Sequence, residues 1–479
     1  MSERRLGGTQ LARLLDVPAG ARPYYRALAD GVRDAILDGR IALRTRLPAE
    51  RHLAEVLGVS RTTVSAAYDR LREQGYVESR QGSGSVTAIP RPGREGSADP
   101  WLAAEDDGLL PLHCAALAAP SIMPEAAAEA GAEYPRHLLR MGYVTYGLPH
   151  LRAAIAARYT ARGLPTTPEQ ILVTSGAQHA MYLLFSLFLA PGDPLVVESP
   201  TYPHAHDAAA ALGAHVVPVG LSDEHGWDLD VVSAALTQSG ARMAYLVCDF
   251  QNPTGHLMDA ASRRALVETA RRTDTVLVAD ESWAELAVDD VPLPPPLAAY
   301  DRDNRVLLVG SASKLFWGGL RVGWIRAGAA LIHRLARLRA AVDIAGPVFD
   351  QLVVARLLSR VEEVRAERRA QLRAGRAALT AALADLIPRW TFVTPSGGGV
   401  LWVRLDEPVA VQLAHAAVAH GVRLAPGPWF GVPGTLDRHL RLPYTQPPAV
   451  LVDAVRRIAR ARAQGPYGYL PADPLVPAV

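Results

Sequence analysis

Lys314 is the only lysine among the 50 basic residues of this 479-residue chain. It stands in Ser311-Ala312-Ser313-Lys314, seven positions before Arg321. Everywhere else a positive charge is needed, arginine supplies it. A guanidinium stays protonated, whereas a lysine amine can be desolvated, deprotonated and made nucleophilic, which is what a Schiff base to an aldehyde requires. A chain that keeps one amine for this purpose must fold around it. An aldehyde cofactor held there needs a grounded phosphate, a partner for its ring nitrogen and a donor for its ring oxygen.

Each of these parts has a candidate at the end of a strand-like run. Asp280 closes the apolar run Thr275–Ala279, which reads as a buried strand, so its carboxylate falls at the edge where open α/β sheets place ligands. A carboxylate there can keep a pyridinium nitrogen protonated. Asn252 opens Asn252-Pro253-Thr254-Gly255 just after the strand-like Ala244–Cys248 and offers an amide to the ring oxygen. Taken alone, that tetrapeptide is simply a turn. Ser175-Gly176-Ala177-Gln178 follows the strand Gln170–Thr174 and leads into an apolar helical run, so its backbone amides would face an anion from a helix N-terminus. Ser311 and Arg321 would add a hydroxyl and a cation to that cradle. Tyr202, in Glu198-Ser199-Pro200-Thr201-Tyr202-Pro203, packs on a ring or serves the core, and spacing does not separate the two.

In this order the motifs resemble the fold type I aminotransferases, over roughly residues 110–465. The resemblance implies an α/β domain that binds pyridoxal 5′-phosphate. It makes Lys314 the Schiff-base lysine, Asp280 the pyridinium partner and Asn252 the ring-oxygen partner. Arg321 becomes a phosphate ligand, with Gly176, Ala177, Gln178, Tyr202, Ser311 and Ser313 as further cofactor contacts. Arg441, in Leu440-Arg441-Leu442-Pro443-Tyr444, falls where the family pairs an arginine with an α-carboxylate. A helical run through Tyr134 to Tyr159 resembles the segment that lends a tyrosine to the neighbouring subunit's phosphate, and Tyr143 takes that part. There is one departure. The tyrosine that the family carries two or three positions after the aspartate is replaced by Ser282 and Trp283, which counts against full transaminase chemistry but not against cofactor binding.

The first 95 residues have a different character. They hold 16 Arg against 11 Asp plus Glu, a net of 16 − 11 = +5, which leaves 2 − 5 = −3 for the remainder. An asymmetry of this kind suits a module that meets a polyanion. Helical spacing covers Tyr25–Leu37, then His52–Leu57, then Arg61–Gln74 after a turn at Gly58-Val59-Ser60. Gly75–Arg80 and Gln81–Val86 read as two short strands with a Gly-rich turn. The segment resembles the winged helix-turn-helix of GntR-type repressors through Leu47-Pro48-Ala49-Glu50-Arg51-His52-Leu53-Ala54 and Leu57-Gly58-Val59-Ser60-Arg61-Thr62-Thr63-Val64. That resemblance brings Arg51, Ser60, Arg61, Thr62 and Thr63 to DNA, with Gly82 in the wing. Arg51 and Arg61 suit phosphate contacts, since most protein–DNA bonds position rather than specify, while Ser60 equally serves as a helix cap.

The expected organisation is an extension (1–23), a winged helix-turn-helix (24–88), a linker (89–109) rich in Pro, Gly and charge, an aminotransferase-like domain (110–465) and a tail (466–479). Only two cysteines, Cys114 and Cys248, are present, so no disulfide framework is expected. No metal, membrane span or signal peptide is expected either, and the protein should be cytoplasmic. A winged helix joined to an aminotransferase-like domain is the architecture of the MocR subfamily of GntR regulators. It implies a transcription factor that binds a double-stranded operator as a head-to-tail homodimer and senses an amine, an amino acid or pyridoxal phosphate. The alternative is a working aminotransferase with a DNA-binding appendage.

Overall fold

The computed structural model describes residues 4–15, 23–37, 41, 45–73, 76–80, 84–87, 108–432 and 434–464, in two compact units that divide after Ser97. Gly82, nearly all of the expected linker and the 466–479 tail lie outside the described residues.

The first unit runs β1 (Arg4–Arg5), α1 (Gly8–Leu14), α2 (Tyr24–Leu37), β2 (Thr45–Arg46), α3 (Glu50–Leu57), α4 (Arg61–Glu73), β3 (Val77–Arg80) and β4 (Gly84–Thr87). Leu28, Val32 and Ile36 recur every fourth residue along α2, so one face is apolar and must be covered. Leu53 of α3 and Val64, Tyr68 and Leu71 of α4 cover it in a single core. Tyr68 brings a hydroxyl into that core and donates it to the Pro48 carbonyl at 3.0 Å. β3 and β4 pair antiparallel, in the sheet order β1-β2-β4-β3. The segment expected to be a mere extension does more than precede this core. β1 pairs with β2, and Leu11 of α1 is fully buried among the helices.

The second unit opens with β5 (Leu110–Leu112), α5 (Met123–Glu133), α6 (Pro135–Leu138), α7 (Pro149–Ala161), β6 (Ile171–Thr174), α8 (Ala177–Phe188), β7 (Pro194–Ser199) and α9 (Pro203–Ala211). The strands β8 (His215–Ser222), β9 (Gly226–Trp227), β10 (Met243–Leu246), β11 (Val276–Asp280), β12 (Val306–Ser311) and β13 (Gly323–Arg326) complete a large sheet, and β14 (Thr391–Phe392), β15 (Val400–Arg404), β16 (Val422–Pro426) and β17 (His439–Pro443) a small one. The large sheet is ordered β6-β13-β12-β11-β10-β7-β8-β9. Its central strands are parallel and buried on both faces, which is why they read as unbroken apolar runs. β13 runs against both β12 and β6, so the C-terminal ends of β6, β7, β10, β11 and β12 share one edge. The small sheet, β14-β15-β17-β16-β5, carries Arg441 on β17.

The expected helical run from Tyr134 to Tyr159 is not continuous. Residues 139–148 are irregular, because Gly142 and Gly147 take left-handed φ values of 80° and 97° and Pro149 begins a new helix at its first position, where a missing N–H costs nothing.

Leu11→Ala should cost the first unit about 2–5 kcal/mol, as for other fully buried leucines. Native-state hydrogen exchange of the α2–α4 amides in the full chain measures it, and unchanged protection would remove α1 from the core.

Candidate functional site

Residues at or just beyond the C-terminal ends of these parallel strands line a cavity of about 310 Å³. Lys314 lies three residues past β12. Its Nζ donates to the Ala115 carbonyl at 2.8 Å and sits 5.1 Å from the centre of the Trp283 ring. Burial pushes its pKa below the ordinary lysine value, because a low-dielectric setting disfavours the charged form. The neutral, nucleophilic amine is thereby favoured.

Asp280, the last residue of β11, reaches the same cavity with both carboxylate oxygens engaged. Oδ1 accepts the Ser282 N–H at 2.8 Å and Oδ2 the Tyr245 hydroxyl at 2.8 Å. Burial and the nearby Asp280 raise the Tyr245 pKa well above normal, so Tyr245 stays a donor. The sequence reading missed Tyr245. Its signal was a phenol inside a four-residue strand buried on both faces, where a hydroxyl needs a partner.

Asn252 follows β10 by six residues and lines the cavity. Its Oδ1 accepts from Arg441 Nη1 at 3.3 Å. Arg441 is 4% exposed, donates from Nη2 to the His113 carbonyl, and rests 4.7 Å above the Phe430 ring centre. Burial lowers its pKa to about 10, which still leaves it charged at neutral pH.

At the other end, α8 begins directly after Gly176, whose φ is 91°. A β-carbon on Gly176 would lie 2.8 Å from Arg321 Nη2, so the open backbone there is what lets the guanidinium approach the helix start. Arg321 Nη2 donates to the Ser175 carbonyl at 3.2 Å. Ser175 is anchored in turn, its hydroxyl donating at 3.0 Å to Asp343, which Arg339 grips at 2.7 and 3.0 Å. Ala177, Gln178, Ser311, Ser313 and Tyr202 also line the cavity. The Ser313 N–H donates to the Ser311 hydroxyl at 3.1 Å, and Gln178 Oε1 is buried with no partner.

Tyr143 is 72% exposed and lines no part of this cavity. Ser282 and Trp283 both line it, so the positions after Asp280 offer a hydroxyl and an indole where the aminotransferases carry a phenol. His204 also lines the cavity, its ring 2.7 Å from Asp207 and edge-on to Tyr202. Its neighbours in sequence gave it no motif. No metal-binding group of His, Cys, Asp or Glu occurs among the described residues.

In the first unit, α3 ends at the left-handed Gly58 and α4 starts after Ser60. Ser60 Oγ accepts the Thr63 N–H at 3.1 Å and lies 2.8 and 2.7 Å from the Thr62 and Thr63 hydroxyls. Its cap role and its place at the front of α4 therefore coexist. Arg51 and Arg61 are 85% and 73% exposed, with carboxylates only at 3.3 and 3.9 Å. Exposed pairs of this kind are worth little, so both guanidiniums can be given to another anion.

Residues 115–458 match the family described as Aminotransferase class I and II, and residues 24–86 match Bacterial regulatory proteins, gntR family. The uncharacterized HTH-type transcriptional regulator YdcR of Escherichia coli K12 is 29% identical over 87% of this chain and 94% of its own length. The probable rhizopine catabolism regulatory protein MocR of Rhizobium meliloti is 32% identical over 63% of this chain and 65% of its own. Among solved structures, LysN, the α-aminoadipate aminotransferase of Thermus thermophilus complexed with N-(5′-phosphopyridoxyl)-L-leucine, superposes with a TM-score of 0.68 at 30% identity, covering 74% of this chain and 92% of that one.

Because Lys314 is the sole lysine, reductive methylation with ¹³C-formaldehyde labels one side-chain amine. Its pH titration should have a midpoint below that of methylated free lysine, since burial favours the neutral form. A midpoint at or above that reference would contradict the burial.

Proposed function

From the premise that the chain belongs to the class I and II aminotransferase family and, through its GntR-type segment, to the MocR subfamily of regulators, we propose that it is a DNA-binding transcriptional regulator. Its larger unit holds pyridoxal 5′-phosphate and senses an amino acid, an amine or the cofactor itself. The observation that carries this reading is the convergence of Lys314, Asp280, Asn252, Arg321 and Arg441 on one cavity, in a chain whose other unit presents a helix-turn-helix. The residues present fit the cofactor: an anion cradle, which a β-carbon at Gly176 would fill, beside the Arg321 guanidinium, and the buried carboxylate of Asp280.

When bound, pyridoxal phosphate supplies an aldehyde that condenses with amines. In this reading Ser311, Ser313, Arg321 and the amides of Gly176, Ala177 and Gln178 bind its phosphate. Asp280, oriented by Tyr245 and Ser282, keeps a proton on the ring nitrogen, Asn252 donates to the ring oxygen and Tyr202 covers the ring. Lys314 provides the amine, and Arg441 receives an effector's α-carboxylate in a charge-assisted pair. In the same reading Tyr143, exposed as Leu139 and Met141 are, serves a second subunit of a head-to-tail homodimer. On the DNA side, the front of α4 enters the major groove. Ser60, Thr62 and Thr63 approach phosphates and base edges, and Arg51 and Arg61 hold phosphates. An effector changes DNA binding only by the difference in its affinity for two arrangements of the regulator.

A working aminotransferase is the second reading. Ser282 and Trp283 weigh against it because no phenol follows Asp280, and multiple-turnover transamination at ~1 s⁻¹ or faster, the lower end of ordinary enzyme rates, would restore it.

Lys314→Ala should abolish the visible absorption of the bound cofactor and the effector response while the protein remains folded, and Lys314→Arg should not rescue either. A retained absorption band in the alanine variant would refute the assignment. Arg61→Ala should weaken operator binding and reduce the slope of log K against log salt by about one, leaving cofactor binding untouched. An unaltered slope would show that Arg61 does not meet a phosphate.

A further inference from the structure

Arg441 does not stand on its strand alone. Its guanidinium lies on Phe430, Phe430 meets Trp402 edge-to-face at 5.7 Å, and Trp402 stacks on His439 at 4.9 Å with an interplanar angle of 3°. His439 Nε2 then donates to Asp223 Oδ2 at 3.0 Å. Arg441 and His439 are two residues apart on β17 and so share a face, with Trp402 directly across from Arg441 on β15. Asp223 comes from elsewhere, the tight turn between β8 and β9 at the edge of the large sheet. The bond from His439 is the leading reason its carboxyl titrates below the usual range.

The same turn holds the site from a second side. Trp227, four residues after Asp223, donates to Glu198 at 2.7 Å, and Glu198 also accepts from Gln251 Nε2 at 3.1 Å. Gln251 is the residue before Asn252, and Asn252 accepts from Arg441. The contacts form a closed circuit from the turn through Gln251 and Asn252 to Arg441 and back through Phe430, Trp402 and His439. Apolar packing of Trp402, Trp429 and Phe430 does not need an acid–imidazole pair at its edge. A guanidinium that must present a fixed edge to a carboxylate does need its underlying ring held still, because such pairing is geometrically demanding.

We infer that Asp223 and His439 are positioning residues for Arg441, fixing through Trp402 and Phe430 the guanidinium that reads an effector's carboxylate. The inference rests on the reading of Arg441 given above. The test uses two probes on the full-length, cofactor-free protein: N-(5′-phosphopyridoxyl)-L-leucine and its counterpart made from 3-methylbutylamine, which lacks only the carboxylate. The ratio of their dissociation constants reports carboxylate recognition by itself, and the second probe reports whether the cavity remains intact. Asp223→Asn and His439→Phe should each shrink that ratio roughly fivefold, the scale of one net hydrogen bond, with the carboxylate-free probe unchanged. His439→Phe keeps the stack on Trp402 and removes only the bond. The double variant should do no more than either single one, since the two side chains act as a unit. Arg441→Ala should collapse the ratio further. A ratio that survives Asp223→Asn and His439→Phe while Arg441→Ala collapses it overturns the positioning role alone. Equal weakening of both probes also overturns it, as that is the mark of general structural damage. A ratio that survives Arg441→Ala overturns both this inference and the reading of Arg441 beneath it.

Discussion

The cavity depends on burying a guanidinium and an amine without losing their hydrogen bonds. A buried polar nitrogen is tolerated only when its N–H groups are met, and here one three-residue stretch meets both: the His113 carbonyl takes Arg441 and the Ala115 carbonyl takes Lys314. Sheet topology is what makes this possible. His113 directly follows β5, β5 pairs with β16, and β16 pairs with β17, so the stretch emerges beside the strand that carries Arg441. Lys314 arrives from the other sheet, three residues beyond β12. The cavity is therefore a seam between the two sheets, and neither sheet alone could form it.

Much of this seam could be read from the sequence because its side chains sit where strands end. Asp280, Ser311, Lys314 and the Ser175–Gln178 turn each follow an apolar run, and the structure gathers them at one sheet edge. The holders of those side chains were not legible. A carbonyl such as that of Ala115 has no sequence signature. Tyr245 supports Asp280 because the β10–β11 register sets it opposite Val278, two residues before Asp280 on the same face, and register belongs to the assembled sheet. The first unit shows the same limit. Its helix-turn-helix has caps, spacing and a turn residue, whereas the seven-residue α1 is too short to display a period, and its place in the core became visible only through the burial of Leu11. The misread run at Tyr134–Tyr159 failed for the opposite reason, since apolar spacing continued across a break that two glycines and a proline impose on the backbone.

Exposure decides what each arginine can do in a chain that uses almost no lysine. Arg339 is buried, and its planar fork meets Asp343 and two carbonyls at once. Arg368 is buried against the carbonyls of Leu315, Phe316 and Ala118. These guanidiniums are structural, because a buried charge that lost its partners would be strongly destabilising. Arg51 and Arg61 are the reverse case, exposed and loosely paired, so exchanging a nearby carboxylate for a phosphate costs them little. Arg441 lies between the two, buried enough for its charge to act through a low dielectric yet bordering a cavity that a carboxylate can enter. Arginine's rigid, permanently charged fork suits all three settings. The one task it cannot perform is to lose its proton and attack a carbonyl carbon, and Lys314 occupies the position where the surrounding residues make that task possible.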